Sequence, residues 1–274
     1  MEKYQIISKK NLCDRVNEYV IYAPLVSRHC RAGQFIILRT DSEGERVPFT
    51  ICDYCRENGT VSIMVQEVGA TTMKLASMKE GECLHDFVGP LGNPTDLDEF
   101  ENSLLVGGGI GSAVIYPQAK ELHSKGKNFE IVLGARNESL FFYEDEFTAL
   151  APTHYVTDDG SKGRRGLVTD EITALAESGK KFDVIFAVGP LVMMKFVAKL
   201  AEKYGIKSVV SMNSMMVDGT GMCGCCRLTV DGKVKYACID GPEFDGAKVD
   251  FDEAIARSST YREFEQAHVC NIRG

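Results

Sequence analysis

Asp218, Cys223, Cys226 and Cys238 carry the spacing of ligands to a metal cluster. Four of the ten cysteines fall between residues 216 and 238, in the run Met-Val-Asp-Gly-Thr-Gly-Met-Cys-Gly-Cys-Cys-Arg and the short stretch after it. Two-iron clusters of the plant type use Cys-x4-Cys-x2-Cys with a distant fourth cysteine. Taking Cys223 and Cys226 as the x2 pair and Cys238 as the distant ligand puts the upstream position on Asp218, whose carboxylate can also bind iron. Gly219, Gly221 and Gly224 suit a loop that must wrap its backbone around sulfide and aim amide N–H groups at anionic sulfur. The expectation is a [2Fe–2S] cluster. A zinc site would need a second CxxC or a histidine pair, and a thioredoxin-like pair would need a strand and helix around it. Inert buried thiols are the remaining reading. Cys225 sits inside the x2 pair as a spare ligand or a spectator, and the spacing favours a spectator.

A second chemical signal is the glycine run Gly107, Gly108, Gly109, Ile110, Gly111. Glycines let a backbone approach a pyrophosphate while the next helix directs its N-terminal dipole at the charge. The full GxGxxG is absent because Ser112 holds the last position, and Arg136 rather than an acid follows the second strand. Position strengthens the reading, since the run follows the first strand of its sheet. Cys52 and Cys55 have metal spacing without partners and read as structural. His29, His85, His123, His154 and His268 are scattered, so neither a catalytic triad nor a zinc-protease motif is expected.

The elements that must position these residues change in character along the chain. Short β-runs at 4–7, 16–23, 34–39, 49–53 and 61–68 suggest an antiparallel barrel or sandwich, with Asn58-Gly59 as a hairpin turn. A helix is expected over 72–78, and 89–94 reads as a loop by its Gly and Pro content. From about residue 101, strands at 103–106, 130–134, 154–157, 184–188 and 208–212 alternate with helices at 112–125, 143–150, 168–177 and 191–204. That alternation is the pattern of a parallel sheet covered by helices. The tail is expected to hold a helix over 252–266.

At 274 residues and 44% hydrophobic content, the chain can form one large or two ordinary domains. Its net charge of −8 and the lack of any basic stripe argue against nucleic acid. The longest apolar run, about 104–116, is too short and too rich in glycine to span a bilayer. The first residues lack the apolar core of a signal peptide, which points to the cytoplasm and to reduced thiols.

Taken in order, Arg46-Val-Pro48-Phe49-Thr50, Gly69-Ala-Thr71-Thr72, Gly89-Pro-Leu-Gly92, the run 107–111, Gly189-Pro190 and the cysteine loop resemble the ferredoxin-reductase-like flavoproteins. Within them the chain is similar to electron-transfer subunits of dihydroorotate dehydrogenase. It is more similar to small subunits of NADH-dependent ferredoxin:NADP oxidoreductases, on the strength of Asp218 and the segment Cys238-Ile-Asp-Gly-Pro-Glu-Phe-Asp-Gly. The resemblance implies an antiparallel FAD-binding β-barrel (1–100), a parallel NAD(P)-binding α/β domain (101–212), and a [2Fe–2S] segment with a C-terminal helix (213–274). It implies that the strand with Pro48 and Phe49 holds FAD, that Arg46 faces its pyrophosphate, that Thr50 approaches the isoalloxazine, and that Gly69, Thr71 and Thr72 bind the same phosphates. Gly189 and Pro190 would close over the nicotinamide, with the following methionines, Met193 and Met194, in core packing. Asp158 would touch the adenosine ribose.

The function implied is hydride exchange between NAD(H) and FAD at Thr50 and Gly189, then single-electron transfer through the cluster. The partner implied is a larger flavin and iron–sulfur subunit, with ferredoxin reached through it. A dihydroorotate-oxidising partner and a non-enzymatic redox sensor are the alternatives, and Arg136 leaves NAD against NADP open.

Overall fold

Seven antiparallel strands come first: β1 (Ile6–Cys13), β2 (Val16–Tyr22), β3 (Phe35–Arg39), β4 (Val47–Thr50), β5 (Asp53–Cys55), β6 (Thr60–Gln66) and β7 (Asp86–Leu91). The computed structural model that shows them describes residues 1–261 with Phe264, Glu265, Ala267 and Cys270. The strands form one sheet in the order β1-β2-β6-β5 and a second in the order β4-β3-β7. Alternation fixes which side faces inward, so Tyr19 and Ile21 of β2 meet Ile36 and Leu38 of β3, Ile63 of β6 and Phe87 of β7 in one core. Helices α1 (Pro24–His29) and α2 (Ala70–Ser77) close its ends.

Two expectations about this region need correction. The single strand expected over 49–53 is broken at a corner where the chain leaves one sheet for the other. Ile51 N still donates to Gln34 O at 3.1 Å, whereas Cys52 N donates to Ser62 O at 3.0 Å in the other sheet. The expected loop at 89–94 begins too early, because Gly89, Pro90 and Leu91 belong to β7. Its pairing with β3 slips between Phe35 and Ile37, and that irregularity admits a residue pair that ordinary pairing disfavours.

The next part alternates as expected: β8 (Asn102–Gly108), α3 (Ser112–Ser124), β9 (Asn128–Ala135), α4 (Glu144–Leu150), β10 (Thr153–Thr157), β11 (Arg164–Arg165), α5 (Val168–Glu177), β12 (Val184–Val188), α6 (Leu191–Lys203) and β13 (Lys207–Ser211). These strands are parallel in the order β11-β10-β9-β8-β12-β13. The chain therefore winds outward from β8 through β9 and β10, then returns to the other side of β8 as β12. That reversal opens a crevice at the C-terminal ends of β8 and β12, where such sheets bind ligands. Tyr143 Oη donates to Glu18 Oε1 at 2.5 Å and Lys120 pairs with Asp53 at 2.7 Å, pinning this layer to the barrel.

Beyond the cysteine loop, β14 (Arg227–Val230) and β15 (Lys233–Tyr236) form a hairpin whose turn residues, Asp231 and Gly232, both have positive φ. Then β16 (Glu243–Asp245) pairs antiparallel with β13 and becomes the seventh strand of the large sheet. The expected 252–266 helix is α7 (Phe251–Ser258), and Gln266 lies outside the described residues. One apolar cluster runs from Phe35 and Ile37 through Val210 and Met212 to Cys226, Leu228 and Cys238, so the three regions share a core. Among the described residues no helix is long and apolar enough to cross a membrane.

Candidate functional site

The glycine run brings two strand ends into contact. A Cβ on Gly111 would lie 2.2 Å from Val188 O, and one on Gly189 would lie 3.2 Å from the Cα of Gly108. A Cβ on Gly108 would lie 2.4 Å from Met193 Sδ and 3.3 Å from Pro190 Cδ. Side chains at these positions would force β8 and β12 apart. Gly109 turns the chain at φ +56°, and Ile110 packs toward Val16 and Cys52 of the barrel. Gly107, Gly108, Gly109, Ile110, Gly111, Gly189 and Pro190 are thus gathered at one crevice, below the N-terminus of the 13-residue helix α3.

The methionine pair divides its roles. Met194 is fully buried in the core, but Met193 sits in the floor between Gly108 and Gly189. Asp158 is exposed at the C-terminal end of β10, with its N–H on Ala135 O at 3.2 Å. Arg136 is exposed at the end of β9, between Asp158 and the crevice.

On the barrel side, Val47, Pro48, Phe49 and Thr50 make up β4, an edge strand where a proline costs no ladder bond to a second neighbour. Thr50 lies opposite Phe35 and Phe49 packs on the barrel core. Gly69 precedes α2. The Thr72 hydroxyl accepts from Val68 N at 3.0 Å and Gly69 N at 2.9 Å and donates to Gly69 O at 2.8 Å. Thr72 therefore caps the helix, and its hydroxyl is already engaged with backbone. Thr71 Oγ1 donates to Glu45 Oε2 at 2.9 Å, which draws the start of α2 beside Arg46. Arg46 itself reaches the cysteine loop, where Nε donates to Val217 O at 2.8 Å and Nη2 to Asp218 O at 3.5 Å.

The cysteine loop lies on the barrel. Gly219, Gly221 and Gly224 all have positive φ, and a Cβ on Gly219 would lie 2.7 Å from Ile37 Cδ1 and 2.8 Å from Leu91 Cδ1. The sulfurs of Cys226 and Cys238 are 3.2 Å apart and buried, whereas Cys223 is exposed beside Cys225. Backbone N–H groups, that of Cys225 first, hold the Cys223 thiol below its usual range. Burial and the Cys226 thiol push Cys238 up to about 12. The Thr220 hydroxyl, reinforced by Thr220 N at 3.1 Å, keeps the Asp218 carboxyl below the usual range.

Among the described residues, no three His, Cys, Asp or Glu side chains gather as a metal site. The structure joins Cys226 to Cys238 and Cys223 to Cys225, and Asp218 lies on the same loop with its carboxylate on Thr220. The donor set nevertheless fits an iron–sulfur group. Asp218, Cys223 and Cys226 share one glycine-lined loop whose amides already point at a sulfur, and the hairpin brings Cys238 back beside Cys226.

Comparison with known proteins agrees with this layout. Residues 105–199 match the oxidoreductase NAD-binding domain, and residues 213–250 match the iron–sulfur cluster binding domain of dihydroorotate dehydrogenase B. The chain is 46% identical over 262 residues to a dihydroorotate dehydrogenase B electron transfer subunit homolog of Thermotoga maritima, covering 96% of this chain and 93% of the relative. The chain belongs to the dihydroorotate dehydrogenase B electron-transfer subunit family.

Another family member, the electron transfer subunit of Bacillus caldolyticus, is 34% identical and covers 90% of this chain and 98% of its own. A solved structure of an NADH-dependent reduced ferredoxin-NADP oxidoreductase superposes with a TM-score of 0.95 at 43% identity, covering 100% of this chain and 99% of that one. Phthalate dioxygenase reductase, 17% identical with a TM-score of 0.59 over 93% of this chain and 79% of its own, shares the fold. The order of barrel, α/β layer and iron–sulfur segment is the one the motifs implied, and the chain is an NAD(P)H-dependent oxidoreductase subunit.

Three supporting contacts carried no sequence signal. Asn93 holds the segment after Cys238, with Nδ2 on Ile239 O at 3.1 Å and N on Gly241 O at 2.7 Å. Arg257 of α7 donates to Cys225 O at 3.2 Å. Glu243 takes bonds from Thr95 and Gln118. Each acts across a long sequence separation that no local spacing reveals.

Proposed function

We propose that this family member passes electrons between NAD(H) and a larger partner subunit by way of FAD and a [2Fe–2S] cluster. The observation that carries this reading is the seating of the cysteine loop directly on the barrel, with Gly219 against Ile37 and Leu91. When bound, flavin supplies the exchange between electron pairs and single electrons, and the cluster supplies one-electron steps.

The chain's own part is binding and positioning. Thr50 and the residues of β4 face the flavin ring, and Thr50 offers a hydroxyl able to donate or accept. Arg46, Gly69 and Thr71 hold its phosphates, joined by the N–H groups of the capped first turn of α2. The crevice of Gly107, Gly108, Gly109, Ile110 and Gly111 receives the dinucleotide, Gly189 and Pro190 close over the nicotinamide, and Asp158 takes the adenosine ribose. Met193 keeps the floor apolar, which suits ring stacking and exclusion of water. Asp218, Cys223, Cys226 and Cys238 are the ligands of the cluster, and Cys225 stands outside the set. The protein works in the cytoplasm, where its thiols stay reduced.

The partner is the larger subunit of a ferredoxin- and NADP-linked oxidoreductase, because the full-length superposition is with that enzyme. The names of relatives such as the Bacillus caldolyticus protein favour a second reading, a dihydroorotate-oxidising partner. Isolation of the native complex with mass spectrometry of the co-purifying chain separates them. A flavin and iron–sulfur subunit that reduces NADP supports the first, and a complex that reduces NAD with dihydroorotate supports the second.

A further inference from the structure

We propose that Arg46 is a positioning residue that couples the flavin site to the cluster loop, so that filling one site tightens the other. This rests on the reading of the barrel as the flavin site. One edge of the guanidinium is engaged by the loop, through Nε on Val217 O at 2.8 Å and Nη2 on Asp218 O at 3.5 Å. A guanidinium has five N–H donors in a planar fork, so three remain for other acceptors.

The charge of Arg46 is only loosely matched. The carboxylate nearest to it, Asp86 Oδ2, stands 4.0 Å from Nη1 and is already held by Arg39 through Nε and Nη2, each at 2.9 Å. Glu45, next in sequence, turns its carboxylate to the Thr71 hydroxyl at 2.9 Å instead. Arg46 hydrogen-bonds neutral carbonyls along one edge and has N–H donors to spare beside the start of α2. That is the arrangement a phosphate would complete.

Met216 is buried and Gly219 rests on Ile37 and Leu91, but the residues between and beyond them are open. Val217 is 42% exposed, Met222 is 88% exposed, and Gly219 and Gly221 have no side chains to bury. Backbone freedom is greatest at such glycines, so the pair of hydrogen bonds from the barrel adds to these anchors in fixing where Asp218 sits. A residue that holds both a phosphate and this limb links the two binding equilibria, and linkage is reciprocal.

The test uses the full chain, prepared without oxygen, in cluster-loaded and chelator-depleted forms. FAD affinity is measured by fluorescence titration of each form for the wild type, Arg46→Lys and Arg46→Gln. The wild type should bind FAD about tenfold more tightly when loaded, a typical coupling factor. In Arg46→Lys, which keeps the charge but lacks the fork, FAD binding should persist while the ratio falls to within twofold of unity. Arg46→Gln should bind FAD more weakly in both forms with the same lost ratio. The EPR line shape of the reduced cluster should change on FAD removal in the wild type and stay fixed in Arg46→Lys. A wild-type ratio near one, or an undiminished ratio in Arg46→Lys, overturns the coupling even though FAD binds. Failure of both wild-type forms to bind FAD removes the flavin reading itself, and the coupling with it.

Discussion

Cys226 and Cys238, twelve residues apart, bring their sulfurs to 3.2 Å inside the protein, while Cys223 stays at the surface of the same loop. The hairpin β14–β15 makes this contact, since it returns the chain to the loop it left, with Arg227 opposite Tyr236. Cys226→Ser and Cys238→Ser should therefore each lose most of the iron. Cys225→Ser should keep iron content and EPR signal near wild type. Asp218→Cys should keep the cluster and shift its reduction potential, because ligand softness is one of the levers on it. Loss of the signal in Cys225→Ser with an intact signal in Asp218→Ala would show an all-cysteine ligand set.

Glu243 should make stability fall as pH rises. Its carboxyl is enclosed where the barrel, α3 and β16 meet, although the residue keeps some exposed surface. It accepts from Thr95 Oγ1 at 2.8 Å and Gln118 Nε2 at 2.6 Å. Burial outweighs those bonds and raises its pKa from 4.5 to about 7. Below 4.5 the carboxyl is protonated whether the chain is folded or unfolded, so nothing is lost. Between 4.5 and about 7 the unfolded chain ionises first and the fold weakens. The full cost above that window is about 3 kcal/mol. Thermal unfolding from pH 5 to 8.5 should show this decline in the wild type and a flatter profile in Glu243→Gln. Parallel profiles would contradict it.

Gly111→Ala tests the crevice. The new methyl would meet Val188 O at 2.2 Å, a backbone atom that cannot swing aside. Overpacking of this kind costs about 1–3 kcal/mol, so the melting temperature should drop. NADH affinity should fall roughly tenfold if about half of that cost is felt in the crevice, with FAD content unchanged. Unaltered NADH affinity would place the dinucleotide elsewhere.

Arg136 bears on cofactor choice. The family likeness favours NADH over NADPH, whereas an exposed guanidinium at the end of β9 suits a 2′-phosphate. A competition titration should show NADH preferred. An NADPH preference relaxed by Arg136→Ala would reverse the assignment.

The features legible in the sequence were those with a local physical demand. Gly108, Gly111 and Gly219 occupy places where a Cβ would collide, and the alternation of Tyr19 and Ile21 marks a barrel face. The cysteine spacing was legible for the same reason, because ligand spacing is itself local. What escaped was decided by distant partners. Gly89-Pro90 joins β7 only because β3 allows a slipped register, and β16, three residues long, is a strand only because β13 offers an edge. The Gln118–Glu243 contact spans 125 residues, and the Arg46 contact with Val217 spans 171. Arg46 could be singled out as a site residue, but its grip on the loop could not.

The function rests on NADH delivering electrons to a flavin that shares them with the cluster on this one chain. An anaerobic NADH titration of the purified full chain, followed by visible absorption and EPR on the same samples, tests it most directly. The protein should be yellow, and its flavin absorption should bleach on adding NADH while a reduced two-iron signal appears. A bound flavin that NADH cannot bleach, or zinc in place of iron in protein prepared without oxygen, would contradict it.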